Sequence, residues 1–309
     1  MATNYFANIT KKGTLAQFNA AMETAPNVWQ DHAQQIPSDT GTETHVWTGT
    51  LPEPREFISG RNFGGIRDFT FDIANKTYEL SYLINRESME DDRHGLVNKR
   101  TMEAAQVWAT FKDKQLATLL EAGDTSTATY DGTALFADTR TIGGSANIDN
   151  SLTRAVTAST NLTSAEAGLV MQDAFTALAG FQDDHGRAGY NASSMQQLRV
   201  IAHPQYVRGF TEFLESTQLS NSDNPWGKGL AQLDILNYLT AATVTLYVHA
   251  VGSPTRAVVY QERTPLEIEV FNGTQDVALN NGVMVLCRQR YCFAYGEPRR
   301  AIEHVLTTA

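Results

Sequence analysis

The sequence predicts an α+β fold, and three observations carry that prediction. The stretch Leu96–Glu121 contains neither proline nor glycine and repeats apolar residues at three- and four-residue steps, which indicates one long helix. Ahead of it, His45–Leu83 combines glycines and prolines with period-two alternation, which favours extended structure. The last third consists of apolar runs bounded by turn residues, a pattern typical of strands. The order is a helix, an extended segment, the long helix, a mixed region and then strands, which we interpret as α+β.

The first half of the chain combines a short helix, an extended segment and the long helix. Apolar residues recur at helical spacing within Thr14–Ala25, whereas Pro37–Thr44 has the composition of a linker. Alternation over Asp68–Ile84 predicts two strands joined by a turn at Ala74–Lys76. An isolated hairpin is marginal in water, so it needs a surface to lie on. The long helix would span about 39 Å, more than most small domains need.

The second half alternates between helices and strands. A turn is predicted within Tyr130–Phe136, and the Ser-, Thr- and Gly-rich Thr139–Thr163 is predicted to be a loop or flap. Thr163 and Glu166 have the spacing of a capping box at the start of a helix over Thr163–Phe181. The remaining predicted elements are a strand over Leu198–Pro204, a helix over Pro204–Ser216, and strands in "TVTLYVHAV", "AVVYQE", "LEIEVF" and "NNGVMVLCRQRYCFAYGEP".

Composition and charge exclude several classes of function. Hydrophobic residues make up 42% and charged residues 19% of the 309 residues, which is ordinary globular composition. The net charge of -10 would repel nucleic acid, and no dense Lys/Arg run offsets it. The N-terminus lacks the apolar core of a secretory signal, and no apolar run is long enough for a membrane span. Cys287 and Cys292 lie five residues apart on one predicted strand, so they point to opposite faces and should be free thiols.

The stretch "NRESMEDDRHG", Asn85–Gly95, gathers four carboxylates and a histidine. Only Glu87–Asp91 and Glu90–His94 have the i, i+4 spacing that places two side chains on one helix face. A serine lies at capping-box spacing before Asp91, and acids in a first turn complement the helix dipole. We therefore favour a helix start. A metal-dependent enzyme using the Glu87–Asp92 cluster is the alternative.

No other pattern indicates catalysis. The seven histidines are scattered without the spacing of a zinc site, and the sequence has no P-loop, no G-x-S-x-G and no dinucleotide fingerprint. "FQDDHG", Phe181–Gly186, follows a helix and precedes a glycine, so we expect a solvated loop. We predict no catalytic residue, no cofactor and no metal. Trp226 lies in a predicted loop, where an aromatic side chain suits an interface anchor.

Four blocks resemble the major head subunit of Mu-like tailed phages. They are "VWTGTLPEPREFISGR", "IANKTYELSYLINRESMEDDRHG", the long helix with "EAA", and "YDGTALF". Their order and spacing match the family over residues 15–138. Beyond residue 140 the resemblance is weaker and rests on "LRVIAHPQYVRGFTEFLES" and on the closing strands.

The resemblance implies the Hong Kong 97-like capsid fold, divided into five segments. These are an N-terminal arm (1–40), an E-loop hairpin lying over a neighbouring subunit (41–86), a P-domain with a spine helix (87–150), an A-domain (151–262), and strands returning through both domains (263–309). The N-terminus carries no long coiled-coil region, so we expect any scaffold to be a separate protein.

The resemblance implies a structural protein rather than an enzyme. The chain would assemble into pentamers and hexamers of an icosahedral shell around double-stranded DNA, without sequence-specific binding. Scaffold, portal and decoration proteins would be further partners, and no membrane would be involved. The protein would reside in the virion, and in the host cytoplasm during assembly. An encapsulin-like compartment shell has the same fold and is the alternative.

Charged and aromatic residues supply the candidate inter-subunit contacts. They are Trp47, Arg55, Glu56, Arg61, Lys76, Glu90, Asp91, Asp92, Arg93 and Trp226. In one branch of the fold a hairpin lysine forms an isopeptide bond with a neighbour's asparagine. Lys76 lies in the predicted hairpin, but most relatives do not cross-link, so we expect no such bond.

Overall fold

The computed structural model has helices at both ends of the extended region and strands in two main sheets. It describes residues 3–25, 27–51, 54, 56, 68–85, 87, 96–125, 129–193, 195, 197–216, 218–219, 222–224, 226, 229–271 and 281–308. The α-helices are α1 (Thr3–Thr24), α2 (Trp29–His32), α3 (Leu96–Glu121), α4 (Ser164–Gly180) and α5 (Val207–Glu215). Short 3-10 helices cover Pro204–Tyr206, Ala241–Thr243 and Pro298–Arg300.

The strands of the first half are β1 (Ala33–Pro37), β2 (Thr42–Thr48), β3 (Asp68–Ala74), β4 (Lys76–Asn85) and β5 (Ser151–Val156). Those of the second half are β6 (Leu198–Ala202), β7 (Gln218–Leu219), β8 (Ser222–Asp223), β9 (Ala231–Ile235), β10 (Thr245–Ala250), β11 (Val258–Phe271), β12 (Gly282–Tyr295) and β13 (Ala301–Thr308). They form a four-stranded sheet β1-β11-β12-β4, a five-stranded sheet β5-β13-β10-β6-β9, and two-stranded ribbons β2-β3 and β7-β8.

Both sheets are covered by helices, which divides the core into three clusters. Helix α1 and the first half of α3 place Phe18, Ala105 and Trp108 against the four-stranded sheet. Helices α4 and α5 pack on the five-stranded sheet and form the largest cluster. The last turns of α3, around Leu116 and Leu120, contact residues of both sheets, so this helix joins the two halves of the molecule.

Several helix predictions are confirmed. The long helix has the predicted bounds Leu96–Glu121, and α1 contains most of the predicted Thr14–Ala25 but begins at Thr3. Helix α4 starts with the predicted capping box, in which the Glu166 amide donates to Thr163 Oγ1 and the Glu166 carboxylate accepts from the Thr163 amide. These features could be predicted from the sequence because each depends on residues spaced within one or two helical turns of each other.

The strand predictions needed three corrections. The turn predicted at Ala74–Lys76 is wrong, because β3 pairs with β2 and β4 pairs with β12. "AVVYQE" and "LEIEVF" belong to the single strand β11. Pro265 of this strand lies at a register shift, where a residue without an N–H group is tolerated. The predicted loop Thr139–Thr163 contains β5, which pairs in parallel with β13.

The cysteine and turn predictions agree with the structure. Cys287 is buried on one face of β12 and Cys292 is half-buried on the other, and both are free. Gly132 takes the left-handed conformation, φ 76°, at the predicted Asp-Gly turn. Within the described part of the chain, no helix is long and apolar enough to cross a bilayer.

Candidate inter-subunit contact surface

Strands β2 and β3 form a two-stranded ribbon that belongs to neither main sheet. Its register runs from Thr42 opposite Ala74 to Thr48 opposite Asp68. Residues alternate along β2, so that Trp47 is half-buried and its neighbour Val46 is exposed. The ribbon therefore has one face toward the subunit and one toward solvent.

A hydrogen-bond network fixes the base of the ribbon. It consists of Ser38, Thr40, Glu43 and Asn75 and is called the knot below. The Glu43 carboxylate accepts from Ser38 Oγ (3.0 Å) and Thr40 Oγ1 (2.9 Å). Asn75 Nδ2 donates to Ser38 Oγ (2.8 Å) and to the Thr40 carbonyl (2.9 Å). Hydrogen bonds from Thr40 and Ser38 lower the pKa of Glu43, because they stabilise its charged form. The two chain segments that enter and leave the ribbon are thereby joined.

Gln261 of β11 attaches this base to the four-stranded sheet. Its Nε2 donates to the Ile73 carbonyl (3.2 Å) and to Asn75 Oδ1 (2.9 Å), and its Oε1 lies 2.6 Å from His45 Nε2. Gln261 is fully buried. Both polar atoms of its side-chain amide thus have partners in the ribbon or next to it, as a buried amide requires.

Aromatic rings hold the ribbon's inner face. Trp47 stacks on Tyr130 with centroids 4.8 Å apart and planes 9° apart, and Phe69 lies 5.5 Å from the same ring. The Tyr130 hydroxyl donates to the Glu297 carboxylate (3.3 Å), which also forms a buried two-pronged ion pair with Arg299 (2.7 and 3.0 Å). Burial raises the pKa of Tyr130 well above its usual value, so the hydroxyl stays protonated and remains a donor.

The far end of the described ribbon contacts the loop after α4. The Thr50 amide donates to Asp184 Oδ1 (2.9 Å), and Arg187 binds both Asp183 (2.6 Å) and the Leu51 carbonyl (2.8 Å). Burial acts to raise the pKa of Asp184, but hydrogen bonds from Thr50 outweigh it and leave that pKa lowered. The prediction of a solvated loop here is wrong for its two aspartates, which are buried and which both bind Thr50, about 130 positions away in the sequence.

The predicted contact residues are distributed over different environments. The Trp226 ring packs edge-on against Phe175 at 5.6 Å, so it and Trp47 already have partners within the chain. Glu56 and Lys76 are exposed. The others, namely Arg55, Arg61, Glu90, Asp91, Asp92 and Arg93, lie outside the described residues. Their roles stay predictions.

Two exposed apolar residues, one on the ribbon and one just after β2, were missed by sequence reasoning. Val46 is 61% exposed and Leu51 is 67% exposed. The alternation of β2 could have identified Val46, because it shares a face with the polar Thr44 and Thr48. Exposed apolar side chains beside a free strand edge are features of interaction surfaces.

The structure places little of the acidic stretch. Glu87 is exposed and accepts from Asn281 Nδ2 (3.2 Å), while Glu90–Arg93 lie outside the described residues. The described part of the chain holds no group of three His, Cys, Asp or Glu side chains arranged to bind a metal ion.

Solved structures of phage capsids have the same fold. The chain aligns over 99% of its length with 77% of a chain from the procapsid of bacteriophage JBD30, at TM-score 0.57 and 17% identity. It aligns over 92% of its length with 89% of a capsid chain of cyanophage P-SCSP1u, at TM-score 0.59 and 12% identity. The fold is therefore the Hong Kong 97-like capsid fold that the sequence resemblance implied.

Sequence relatives agree with this fold. The chain is 30% identical over 119 residues to the major capsid protein of Escherichia phage Mu, covering 38% of this chain and 39% of that protein. It is 27% identical over 158 residues to a Mu-like prophage major head subunit of Haemophilus influenzae, covering 51% of this chain and 49% of that protein. The chain thus matches half or less of the length of these curated relatives. A family model described as "Mu-like prophage major head subunit gpT" matches residues 8–179, more than half of the chain, and the chain belongs to this family.

Proposed function

We propose that this protein is a major head subunit that assembles with copies of itself into a closed shell around phage double-stranded DNA. The family match over residues 8–179 carries the proposal, because it includes the ribbon and the long helix. An encapsulin-like shell is disfavoured because the matching family and sequence relatives are head subunits.

The ribbon supports self-assembly. Among the described residues it has two strands, and Val46 on β2 and Leu51 just beyond it are exposed, so part of this apolar surface stays in water in the single chain. A neighbouring copy could cover both residues and pair with an outer edge of the ribbon. Arg55, Glu56 and Arg61 follow within the same excursion and would supply polar pairing.

We further propose the segment boundaries and contacts that the resemblance implies. The arm would cover residues 1–40, the E-loop 41–86, the P-domain 87–150, the A-domain 151–262 and the returning strands 263–309. Lys76, Glu90–Arg93, Trp47 and Trp226 complete the candidate contacts. The protein would act without catalysis, assemble in the host cytoplasm and engage scaffold, portal or decoration proteins.

Charge supports the role of a DNA container. The chain has a net charge of -10, so a shell of many copies would repel the DNA backbone rather than bind it tightly. Packaged DNA would then be held by confinement and not by sequence-specific contacts.

Electron microscopy of the purified chain tests the proposal. We expect rings or closed shells, and a uniform monomer at all concentrations would contradict it. In the variant Arg61→Glu we expect a folded subunit with a lower yield of particles. Arg208→Glu is the matched control, because Arg208 is a highly exposed residue of α5 that pairs with Glu212 of its own helix. Nucleic acid inside particles from infected or induced cells, rather than enzyme cargo, would separate a phage head from a compartment shell.

A further inference from the structure

Two buried histidines join the segment before the ribbon to the five-stranded sheet. His32 ends α2 and His249 lies on β10, and their Nδ1 atoms are 3.2 Å apart. Both side chains are almost completely inaccessible to solvent. The residues are 217 positions apart, so this contact ties together distant parts of the chain.

The hydrogen bonds determine which nitrogens carry protons. His32 Nε2 lies 2.9 Å from the Asp234 carboxylate, which can only accept, so Nε2 is the donor. In neutral His32 the Nδ1 atom is then an acceptor, and His249 Nδ1 donates to it. His249 Nε2 has no hydrogen-bond partner among the described residues. The pair is therefore arranged for two neutral rings.

A proton added to either ring would break this arrangement. On His32 Nδ1 it would set two N–H groups against each other, and on His249 Nε2 it would create a buried donor without an acceptor. Burial lowers the pKa of His32 and lowers that of His249 further below its usual value.

Charged groups from several elements face the pair. Asp234 of β9 and Asp31 of α2 favour a positive charge, whereas Arg199 of β6 and Arg256 of the loop before β11 oppose it. Arg199 is bound to Asp234 at 2.7 Å and to Asp31 at 3.0 Å, and Arg256 also interacts with Asp31, so two positive charges stand against the two negative ones. The surroundings therefore add little support for an imidazolium ion.

The segment held by this pair leads directly to the ribbon. Strand β1 follows His32 and forms the edge of the four-stranded sheet, and the next residue is Ser38 of the knot. At its other end the segment is held by Asp113, which accepts from the Val28 and Trp29 amides (3.1 and 2.9 Å). Loosening of the histidine contact would therefore act on the segment between Trp29, which is held by Asp113, and Ser38, which is held by the knot.

We propose that the His32–His249 pair is an acid-sensitive joint that holds α2 against the five-stranded sheet at neutral pH and loosens α2, together with the adjoining strand β1, in mild acid. Because the folded pKa values lie below the unfolded ones, the contribution of the pair is present above about pH 6.5 and is lost as pH falls. If His249, whose folded pKa lies well below its usual value, becomes exposed on opening, the opening equilibrium rises by up to about 25-fold between pH 7 and pH 5.

Hydrogen exchange of the full chain tests the joint. Protection factors, corrected for the intrinsic pH dependence of exchange, are measured at pH 7 and pH 5, with light scattering to record the assembly state. We expect the amides of β1 to lose at least about tenfold in protection relative to those of α4. Equal loss in both elements, or no loss in β1, would overturn the proposal.

Variants separate the pair from other titrating groups. His249→Phe keeps a ring but cannot titrate, so the selective loss in β1 should be much smaller, with only His32 left to contribute. His304→Gln is the control, because His304 is another fully buried histidine, on β13, with a pKa lowered by burial to about 4. It should retain the loss. If His249→Phe does not fold, His32→Gln keeps a donor to Asp234 and carries the same expectation. A variant of the pair that still shows the wild-type loss would refute the joint.

Discussion

Strands β3 and β4 are separated by one residue, Asn75, yet they belong to regions that are stabilised in different ways. Strand β4 extends the four-stranded sheet along β12 and packs its inner face against α1 and α3. Strand β3 pairs only with β2, and the ribbon is held by a polar knot, by rings around Tyr130 and by the loop after α4.

A carboxylate of the ribbon and a carboxylate of the main sheets have pKa values shifted in opposite directions. Glu43 of the ribbon is hydrogen-bonded near the surface, which lowers its pKa. Glu303 of β13 is buried, and burial raises its pKa to about 7. Glu43 is therefore favourable when charged, whereas Glu303 lies in the body of the subunit, meaning the two main sheets and their helices, where burial penalises its charge. Apolar truncations should consequently act on the body, and contact changes should act locally on the ribbon.

The largest effect is expected from a cavity under β4. Ile84 is 5% exposed and lies in the cluster formed with α1 and α3. Ile84→Ala should lower the free energy of unfolding by about 2–5 kcal/mol, because it removes buried methyl groups and leaves a void. Denaturant unfolding measures the change. The adjacent Leu83, which is 43% exposed on the opposite face, is the control: Leu83→Ala should change stability by about 0.5 kcal/mol or less. Similar losses in both variants would mean that β4 is not buried as described.

The next effect depends on pH and separates the two carboxylates. Glu303 has a folded pKa raised above its unfolded value, so its stabilising contribution is present below about pH 4.5 and is lost as pH rises through 7. Glu303→Gln should therefore be more stable than the wild type at pH 8, by roughly 2–3 kcal/mol, and nearly equal to it at pH 4. Thermal unfolding across this range measures the difference.

Glu43→Gln provides the opposite case. Because the pKa of Glu43 is lowered, its contribution is present above about pH 4.5 and is lost as pH falls. Its replacement should weaken the base of the ribbon at pH 7 and have no effect at low pH. The same sign of pH dependence in both variants would contradict the contrast between the regions.

The sequence was most informative where structure depends on near neighbours. The bounds of α3 and the capping box of α4 follow from spacing within a few turns. The partner of β3 could not be predicted in this way, since a possible turn at Asn75 says nothing about which free strand edge lies nearby. The burial of Asp183 and Asp184 was missed for the same reason, because Thr50 is distant in sequence.

The candidate contacts show a second limit of sequence reasoning. Trp47 was chosen for an interface because it is aromatic, and the structure gives its ring a partner, Tyr130, within the same chain. Val46, the less conspicuous neighbour, is the exposed one. Residue type suggested that this strand makes contacts, but only the alternation of β2 decides which side chain faces outward.

The smallest effect is expected from the ring contact that holds the ribbon. Trp47→Leu keeps an apolar side chain but removes the stacking with Tyr130, a contact of about 1 kcal/mol. Because the ribbon can open without unfolding the body, the melting temperature should hardly change. Local opening should instead increase about fivefold, since 1.4 kcal/mol corresponds to a factor of ten. Hydrogen exchange with mass spectrometry would detect faster exchange at the amides of β2 and β3, whereas Trp47→Phe, which keeps a ring, should exchange nearly as slowly as the wild type. Equal exchange in all three proteins would show that the ribbon is held by its knot and not by its rings, and would assign its attachment to Asn75 and Gln261.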